Sequence, residues 1–128
     1  MRIYVLALSE VFDTGLATFL DTFSTANALA ESTGKSSVRF DVSIIGVRSR
    51  VLTSQGLSVP VRSATRRAPP DVALVPAIGA KLPDALRVKL EQRETVDAQA
   101  LLRDWSASGA LIGAACTSTF VLAGSSLL

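Results

Sequence analysis

The stretch ALIGAACTSTFVL, residues 110 to 122, carries the only cysteine of the chain, Cys116. An apolar, strand-like run precedes this residue, and a run of small residues typical of a helix start follows it. A thiol at such a strand-to-helix turn lies near the positive end of the helix dipole and near free N–H groups, which favours the thiolate. Cys116 is therefore a candidate nucleophile or sensor thiol, and the alternative interpretation is a small core residue.

Groups that would activate this thiol are scarce. The chain contains no histidine, so any imidazole base must come from outside these 128 residues. Glu10 and Asp13, in the loop after the first predicted strand, are the carboxylates that we consider as partners of the thiol. Asp13 is also suited to be an ordinary helix cap. A single cysteine excludes an internal disulfide, and without histidine it cannot form a cysteine-ligated structural zinc site. We predict no metal site and no cofactor.

Strand-like and helix-like segments alternate along the chain, which indicates how these residues are positioned. Apolar β-forming runs predict strands at 3–8, 38–46, 71–76 and 110–115, and a helical period predicts helices at 13–30, 83–92, 95–108 and from 117 onward. Residues 50–53 and 57–61 predict a small hairpin, and residues 62–70 a polar connector. This order predicts one α/β domain with a doubly wound, mostly parallel sheet and helices on both faces.

Two of the predicted helices have a clear apolar face. In the first, this face consists of Leu16, Phe19, Leu20, Phe23, Asn27 and Ala30, and Gly34 follows the helix end. In the segment 95–108, the predicted apolar stripe is Val96, Ala100, Leu101 and Trp105, with Arg103 and Asp104 facing away. Because ligands of doubly wound sheets bind beyond the carboxyl ends of the strands, we expect the loops 9–14, 46–48, 76–80 and 116–117 to form the site.

Composition limits the partners. The 13 basic and 11 acidic residues give a net charge of +2, and the basic residues are scattered, so no nucleic-acid surface is indicated. The densest basic stretch, residues 62–67, is predicted to be a solvated loop. The N-terminal apolar run is too short to span a bilayer and no cleavage site follows it. We expect a cytoplasmic protein without a membrane contact.

The segment AACTSTFVLAG resembles the nucleophile-elbow segment of the ThiJ/PfpI, or class I glutamine amidotransferase-like, superfamily. It is most similar to the N-terminal sensor domains of GlxA-like AraC-family transcriptional regulators. The segments IYVLAL, FLDTFSTAN, DVALVPAIGA and LLRDWSASGALIGAAC extend the resemblance, in the right order, over the whole chain. The resemblance implies a flavodoxin-like fold with Cys116 at the elbow, and it matches the N–H groups of Thr117 and of the Ile78-Gly79 region to the family's oxyanion donors.

The departures from the family pattern concern catalysis. Catalytic branches pair the cysteine with a glutamate after the first strand, and often with a histidine directly after the cysteine. This chain has Asp13-Thr14-Gly15-Leu16 in the first place and Thr117 in the second. The resemblance therefore implies a retained pocket with lost catalysis. Its expected ligand-binding residues are Asp13, Thr14, Ile78, Gly79, Cys116 and Thr117.

These expectations lead to one main hypothesis about function. The chain is predicted to be the leading part of a sensor domain that binds a small-molecule effector, and this domain is expected to be incomplete at its C-terminus. It is also expected to form a homodimer through residues 50–61 and to reach DNA only through a segment beyond Leu128. The alternatives are a ThiJ/PfpI-type cysteine hydrolase, amidase or glyoxalase that uses Cys116, a redox sensor based on a Cys116 sulfenate, and a scaffold with a filled pocket.

Overall fold

The computed structural model describes residues 1–34, 38–65 and 67–128. The strands are β1 (Arg2–Leu6), β2 (Asp41–Gly46), β3 (Val51–Leu52), β4 (Ser58–Val59), β5 (Arg62–Ser63), β6 (Val72–Val75) and β7 (Leu111–Ala114). The helices are α1 (Asp13–Thr33), α2 (Pro83–Glu91), α3 (Arg93–Ala107) and α4 (Thr119–Gly124), and a 3₁₀ turn covers Cys116–Ser118. The predicted alternation of strands and helices is confirmed.

Five of the strands form one parallel sheet in the order β5-β2-β1-β6-β7. β1 is central: Ile3 pairs with Val42 on one side and with Val72 on the other. The chain thus places β2 and β5 on one side of β1, and then crosses over to place β6 and β7 on the other side. Such a reversal opens a crevice beyond the carboxyl ends of β1 and β6, where doubly wound folds bind ligands.

Alternating side chains of β1 supply the cores on both faces of the sheet. Tyr4 and Leu6 pack with residues of α3 and α4, whereas Val5 packs with α1 and with the β3–β4 hairpin. All three side chains are buried, which is typical of a parallel strand covered on both sides. The predicted doubly wound sheet with helices on both faces is confirmed.

Helix α1 packs through the predicted face. Leu16 is buried, and the Phe23 ring lies 5.2 Å from the Phe40 ring. The Asn27 amide forms two hydrogen bonds of 2.9 Å with the backbone of Phe40. Gly34 ends the helix at φ 62°, a left-handed conformation that suits glycine.

Two of the structural predictions are wrong in part. The buried stripe of α3 consists of Ala98, Leu102 and Trp105, and Leu101 packs against it. Trp105 and Leu101 were predicted, whereas Val96, also predicted, is 46% exposed. The spacing i, i+4, i+7 is again helical, but neighbouring apolar residues made the sequence compatible with more than one face. The segment 62–70 is also more than a connector, because β5 extends the sheet beyond β2. Arg66, in the same basic stretch, lies outside the described residues.

Within the described ranges, no helix combines the length and the apolarity needed to cross a bilayer. The same ranges contain no group of three or more acidic or cysteine side chains placed to hold a metal ion.

Candidate functional site

Cys116 lies at the turn between β7 and α4, as predicted. The Ala115 N–H donates to the Val75 carbonyl at 3.0 Å, and the chain then bends at Cys116 with φ 54°. A cysteine in this left-handed region is strained, so the surrounding contacts must hold it there. Its thiol is exposed. The predicted helix from residue 117 is divided into the 3₁₀ turn and α4, which begins at Thr119.

Three consecutive hydroxyl groups hold this turn. Thr117 donates to the Ile78 carbonyl at 2.8 Å and accepts the Ile78 N–H at 3.1 Å. The buried Ser118 hydroxyl donates to the Pro76 carbonyl, and the Thr119 hydroxyl donates to the Cys116 carbonyl at 2.8 Å. The sequence Thr-Ser-Thr after the cysteine therefore fastens the elbow to the loop after β6.

The same loop is also fixed to the segment after β1. The Gly79 N–H donates to the Glu10 carbonyl at 2.7 Å, and the Phe12 N–H donates to the Ala77 carbonyl at 2.8 Å. A Cβ at Gly79 would lie 2.8 Å from the Glu10 carbonyl oxygen, so only glycine allows this approach. The N–H groups of Ile78 and Gly79, expected as oxyanion donors, are both engaged in internal hydrogen bonds.

Asp13 does not cap α1. The residue at the N-cap is Phe12, and Asp13 is the first residue of the helix. Its Oδ1 accepts hydrogen bonds from the Ser54 hydroxyl at 3.0 Å and from the Gln55 N–H at 3.2 Å. Its Oδ2 is buried without a hydrogen-bond partner among the described residues. The carboxylate therefore serves to anchor the tip of the β3–β4 hairpin to the start of α1.

These polar neighbours also act on the ionisation of Asp13. The Thr53 side chain has the largest effect, although its hydroxyl forms no hydrogen bond of normal geometry with Oδ2. Together with the Ser54 hydroxyl and the Gln55 N–H, it lowers the pKa of Asp13 below the ordinary value of 3.8, and burial opposes the shift. The carboxylate is thus held in its charged form at neutral pH.

Thr14 is exposed, and its carbonyl accepts the Thr18 hydroxyl at 2.7 Å. Thr14 and Asp13 line a groove of about 540 Å³ between α1 and the hairpin, and Cys116 is not among the residues that line it. The structure therefore brings Thr117 and Ile78 together beside Cys116, and places Asp13 and Thr14 at a different groove.

Glu10, the other carboxylate considered as a thiol partner, is paired elsewhere. Its φ is 65°, and its Oε2 lies 3.2 Å from Nζ of Lys89 in α2. Lys89 is only 4% exposed and has Glu94 as a second carboxylate at 3.9 Å. Glu94 in turn accepts the N–H and the hydroxyl of Ser9 at 3.0 and 3.1 Å. This cluster was missed in the sequence, because no spacing pattern pairs residues about eighty positions apart.

A cavity of about 710 Å³ lies beside the elbow, between α2, α4 and the loop after β6. We call it the α2–α4 cavity. Its lining residues are Ala80, Lys81, Leu82, Pro83, Leu86, Arg87, Leu90, Glu91, Gln99, Thr117, Phe120 and Gly124. Among the predicted site residues, only Thr117 belongs to this set. Ala80 belongs to the predicted site loop 76–80, and Lys81 and Leu82 continue that loop. The remaining lining residues come from α2, α3 and α4, whose role in a site had no signal in the sequence.

The fold is shared with solved structures of other proteins. An AraC family transcriptional regulator from Pseudomonas putida has 21% identity and a TM-score of 0.74, and the match covers 99% of this chain and 62% of that one. A THiJ/PfpI family protein from Pseudomonas syringae has 16% identity and a TM-score of 0.73, with coverage of 99% and 46%. DJ-1 from Toxoplasma gondii, in an oxidized form, has 19% identity and a TM-score of 0.68, with coverage of 99% and 62%.

No protein-family model and no curated protein sequence matches the chain. The chain spans 46 to 62% of the length of the three similar structures. At these identities the likeness shows the fold, and the predicted ThiJ/PfpI-type α/β fold is confirmed.

The first prediction concerns the contact between Gly79 and Glu10. Gly79→Ala is expected to destabilise the protein by about 1–3 kcal/mol, because the added Cβ has no room against backbone. Gly15→Ala is the control, since a Cβ at Gly15 in α1 meets only ordinary contacts of 3.6 Å or more, and alanine is a better helix former by up to about 1 kcal/mol. Urea unfolding measures both; equal stability of the two variants would contradict the close approach.

The second prediction concerns Asp13. Because its pKa is lowered in the folded state, its contribution is fully present above the unfolded value near 3.8 and is lost as the pH falls through the lower folded value. Asp13→Asn is therefore expected to reduce stability at neutral pH and to weaken the decline of stability on acidification. Urea midpoints between neutral and strongly acidic pH measure this, with the exposed Asp21→Asn as control. An unchanged acid slope in Asp13→Asn would refute the assignment.

Proposed function

We propose that this chain is the ligand-sensing and dimerising domain of an AraC-family transcriptional regulator. The observation that carries the proposal is the elbow without catalytic partners. Cys116 has an exposed thiol at a strained strand-to-helix turn. Among the described residues, no acid, base or hydroxyl forms a hydrogen bond with the sulfur of this thiol. A nucleophile's position thus lies beside a cavity, while no acid or base of the described residues is placed to take the proton of the thiol.

The positions of the nearby carboxylates support this proposal. A general base must lie within hydrogen-bond reach of the proton that it takes, about 2.6–3.2 Å between heavy atoms. Asp13 is bound to the hairpin, and Glu10 to Lys89. The amides of Ile78 and Gly79, which would stabilise an oxyanion, hold the loop to the elbow and to the β1 segment instead. Catalysis would require these internal contacts to break.

The similar structures and the charge of the chain also support a regulatory role. An AraC family regulator shares the fold over 99% of this chain. The net charge of +2 and the scattered basic residues provide no DNA-binding surface. On this proposal, DNA contact belongs to a segment outside residues 1–128, and this domain supplies the effector site.

A second candidate function is a ThiJ/PfpI-type cysteine enzyme, since the positive φ and the exposed thiol at Cys116 are the geometry of a nucleophile elbow. Such an enzyme would need groups brought from elsewhere, such as a second segment of the polypeptide or a partner subunit. The two functions differ in whether the thiol turns over a substrate.

The third prediction separates them. The protein is expected to show no protease, glyoxalase or amidase turnover above that of Cys116→Ser, because no proton-transfer group reaches the thiol. Steady-state assays of both proteins provide the measurement. Turnover that disappears in Cys116→Ser would overturn the regulatory proposal and establish the enzyme.

The fourth prediction concerns dimerisation through the β3–β4 hairpin. Leu57 at its turn is 63% exposed, and β4 is the edge strand of the hairpin, because β3 lies between β4 and the Glu10–Val11 segment. We expect a homodimer in sedimentation velocity that Leu57→Arg converts to a monomer. Leu111→Arg, at an equally exposed leucine of β7, is expected to leave the dimer intact. A monomeric wild-type protein at high concentration would contradict this part of the proposal.

A further inference from the structure

We propose that the α2–α4 cavity binds an amphipathic monocarboxylate, a molecule with an aryl or branched alkyl body and one carboxylate. The inference rests on the proposed sensing function and names the chemical class of the effector. Three features of the cavity support it: apolar walls that are exposed to solvent, a side-chain amide without a partner, and an excess of positive charge at the rim.

The walls of the cavity favour a ligand with an apolar body. Leu86 and Leu90 of α2 form one side, and they also pack against the main core. Leu82 and Phe120 face them from the loop and from α4, and remain 69% and 52% exposed. Large side chains that leave so much apolar surface in one concave place are typical of a binding site. A volume of about 710 Å³ falls within the range of small-molecule pockets.

Gln99 supplies the unpartnered amide. It projects from α3, is partly buried, and lines the cavity. Its amide packs directly on Gly124, where any added Cβ would collide with the amide nitrogen. No hydrogen bond to this amide is found among the described residues, and neither of its polar atoms is fully buried, so the amide is open to solvent in the cavity. Its NH₂ group is therefore available to donate to an oxygen of the ligand.

The charges at the rim favour an anion. Lys81 forms no ion pair with a described residue, and its Nζ lies 5.6 Å from the centre of the Phe12 ring. Arg87 has a weak partner in Glu91, 3.6 Å away, and both side chains are 68% exposed. The rim of the cavity thus carries two cations and one carboxylate. A single negative charge balances this rim, whereas a cationic ligand would be repelled by Lys81.

A neutral hydrophobic surface of a second copy, or a further segment of polypeptide, would also cover the walls. A neutral surface of either kind would leave the charge of Lys81 without a counter-charge. A carboxylate of suitable size serves both Lys81 and Gln99, since it accepts hydrogen bonds from an amide and from an ammonium group at once. This complementarity selects the small anion as the occupant.

The fifth prediction tests this with 3-phenylpropionate as the probe and 3-phenylpropanol as its neutral analogue, titrated into the full chain and followed by ¹H–¹⁵N correlation spectra. The carboxylate is expected to bind at least about fivefold more tightly than the alcohol, because one partly exposed charge interaction changes affinity by about this factor. The shifted amides are expected at Lys81, Leu82, Gln99, Phe120 and Gly124. Affinity is expected to fall with added salt.

Variants define the groups that recognise the probe. Lys81→Gln is expected to weaken 3-phenylpropionate about fivefold, and Lys81→Arg to restore it. Arg103→Gln, which removes an exposed cation of α3 that does not line the cavity, is the matched control and should leave affinity unchanged. Leu82→Glu is expected to reduce carboxylate binding more than alcohol binding, because it adds a like charge at the rim.

The outcomes separate this inference from the function on which it rests. Equal affinity of acid and alcohol, shifts away from the cavity, no effect of Lys81→Gln, or no binding at millimolar concentration would overturn the ligand class. Shifts that depend on protein concentration without any probe would assign the cavity to a second copy and overturn it as well. If the acid binds as expected but Cys116 proves to turn over a substrate, the ligand class stands and the regulatory function fails.

Discussion

The strained turn at Cys116 is the constraint on which the site depends. A cysteine at φ 54° persists only where its surroundings determine the backbone completely. The hydroxyls of Thr117, Ser118 and Thr119 do this by donating to three backbone carbonyls, two of which belong to the loop after β6. That loop is itself bound to the Glu10 segment through Gly79. Three loops at the carboxyl ends of β1, β6 and β7 thus form one hydrogen-bonded unit, and the groups that create it are no longer available for chemistry.

Helix α2 connects this unit to the cavity. Its buried Lys89 reaches Glu10 and Glu94, so the helix is held against the segment after β1 by an ion-pair cluster. Removing Glu94, which is buried like Lys89, would leave a buried charge uncompensated and be strongly destabilising, whereas the Glu10 side chain is 68% exposed. The adjacent face of the same helix carries Leu86 and Leu90, which form a wall of the cavity. The elbow, the ion-pair cluster and the proposed effector site therefore share one rigid element.

Local patterns predicted most of the fold. The turn at Cys116, the face of α1 and the glycine end at Gly34 each depend on residues within a few positions of one another, which is the range over which periodicity and turn chemistry act. The stripe of α3 was predicted correctly at Trp105, but Val96 was placed on it and Leu102 was not. Val96, Leu101 and Leu102 allow two faces, and only packing in the core with β1 and β6 selects Leu102. The short strand β5 was missed because two residues carry no periodic signal.

The site was less predictable for a physical reason. Asp13 lies at a helix start, where a carboxylate ordinarily caps, yet its partners Ser54 and Gln55 are about forty residues away and only the hairpin's position reveals them. Ile78 was expected to offer its N–H to a ligand, and the Thr117 hydroxyl occupies that N–H instead. In both cases the residue type was recognised and its partner was not, because partners are set by the way the loops converge. A chain can therefore keep the sequence of a nucleophile elbow while its hydrogen bonds serve to hold the pocket in shape.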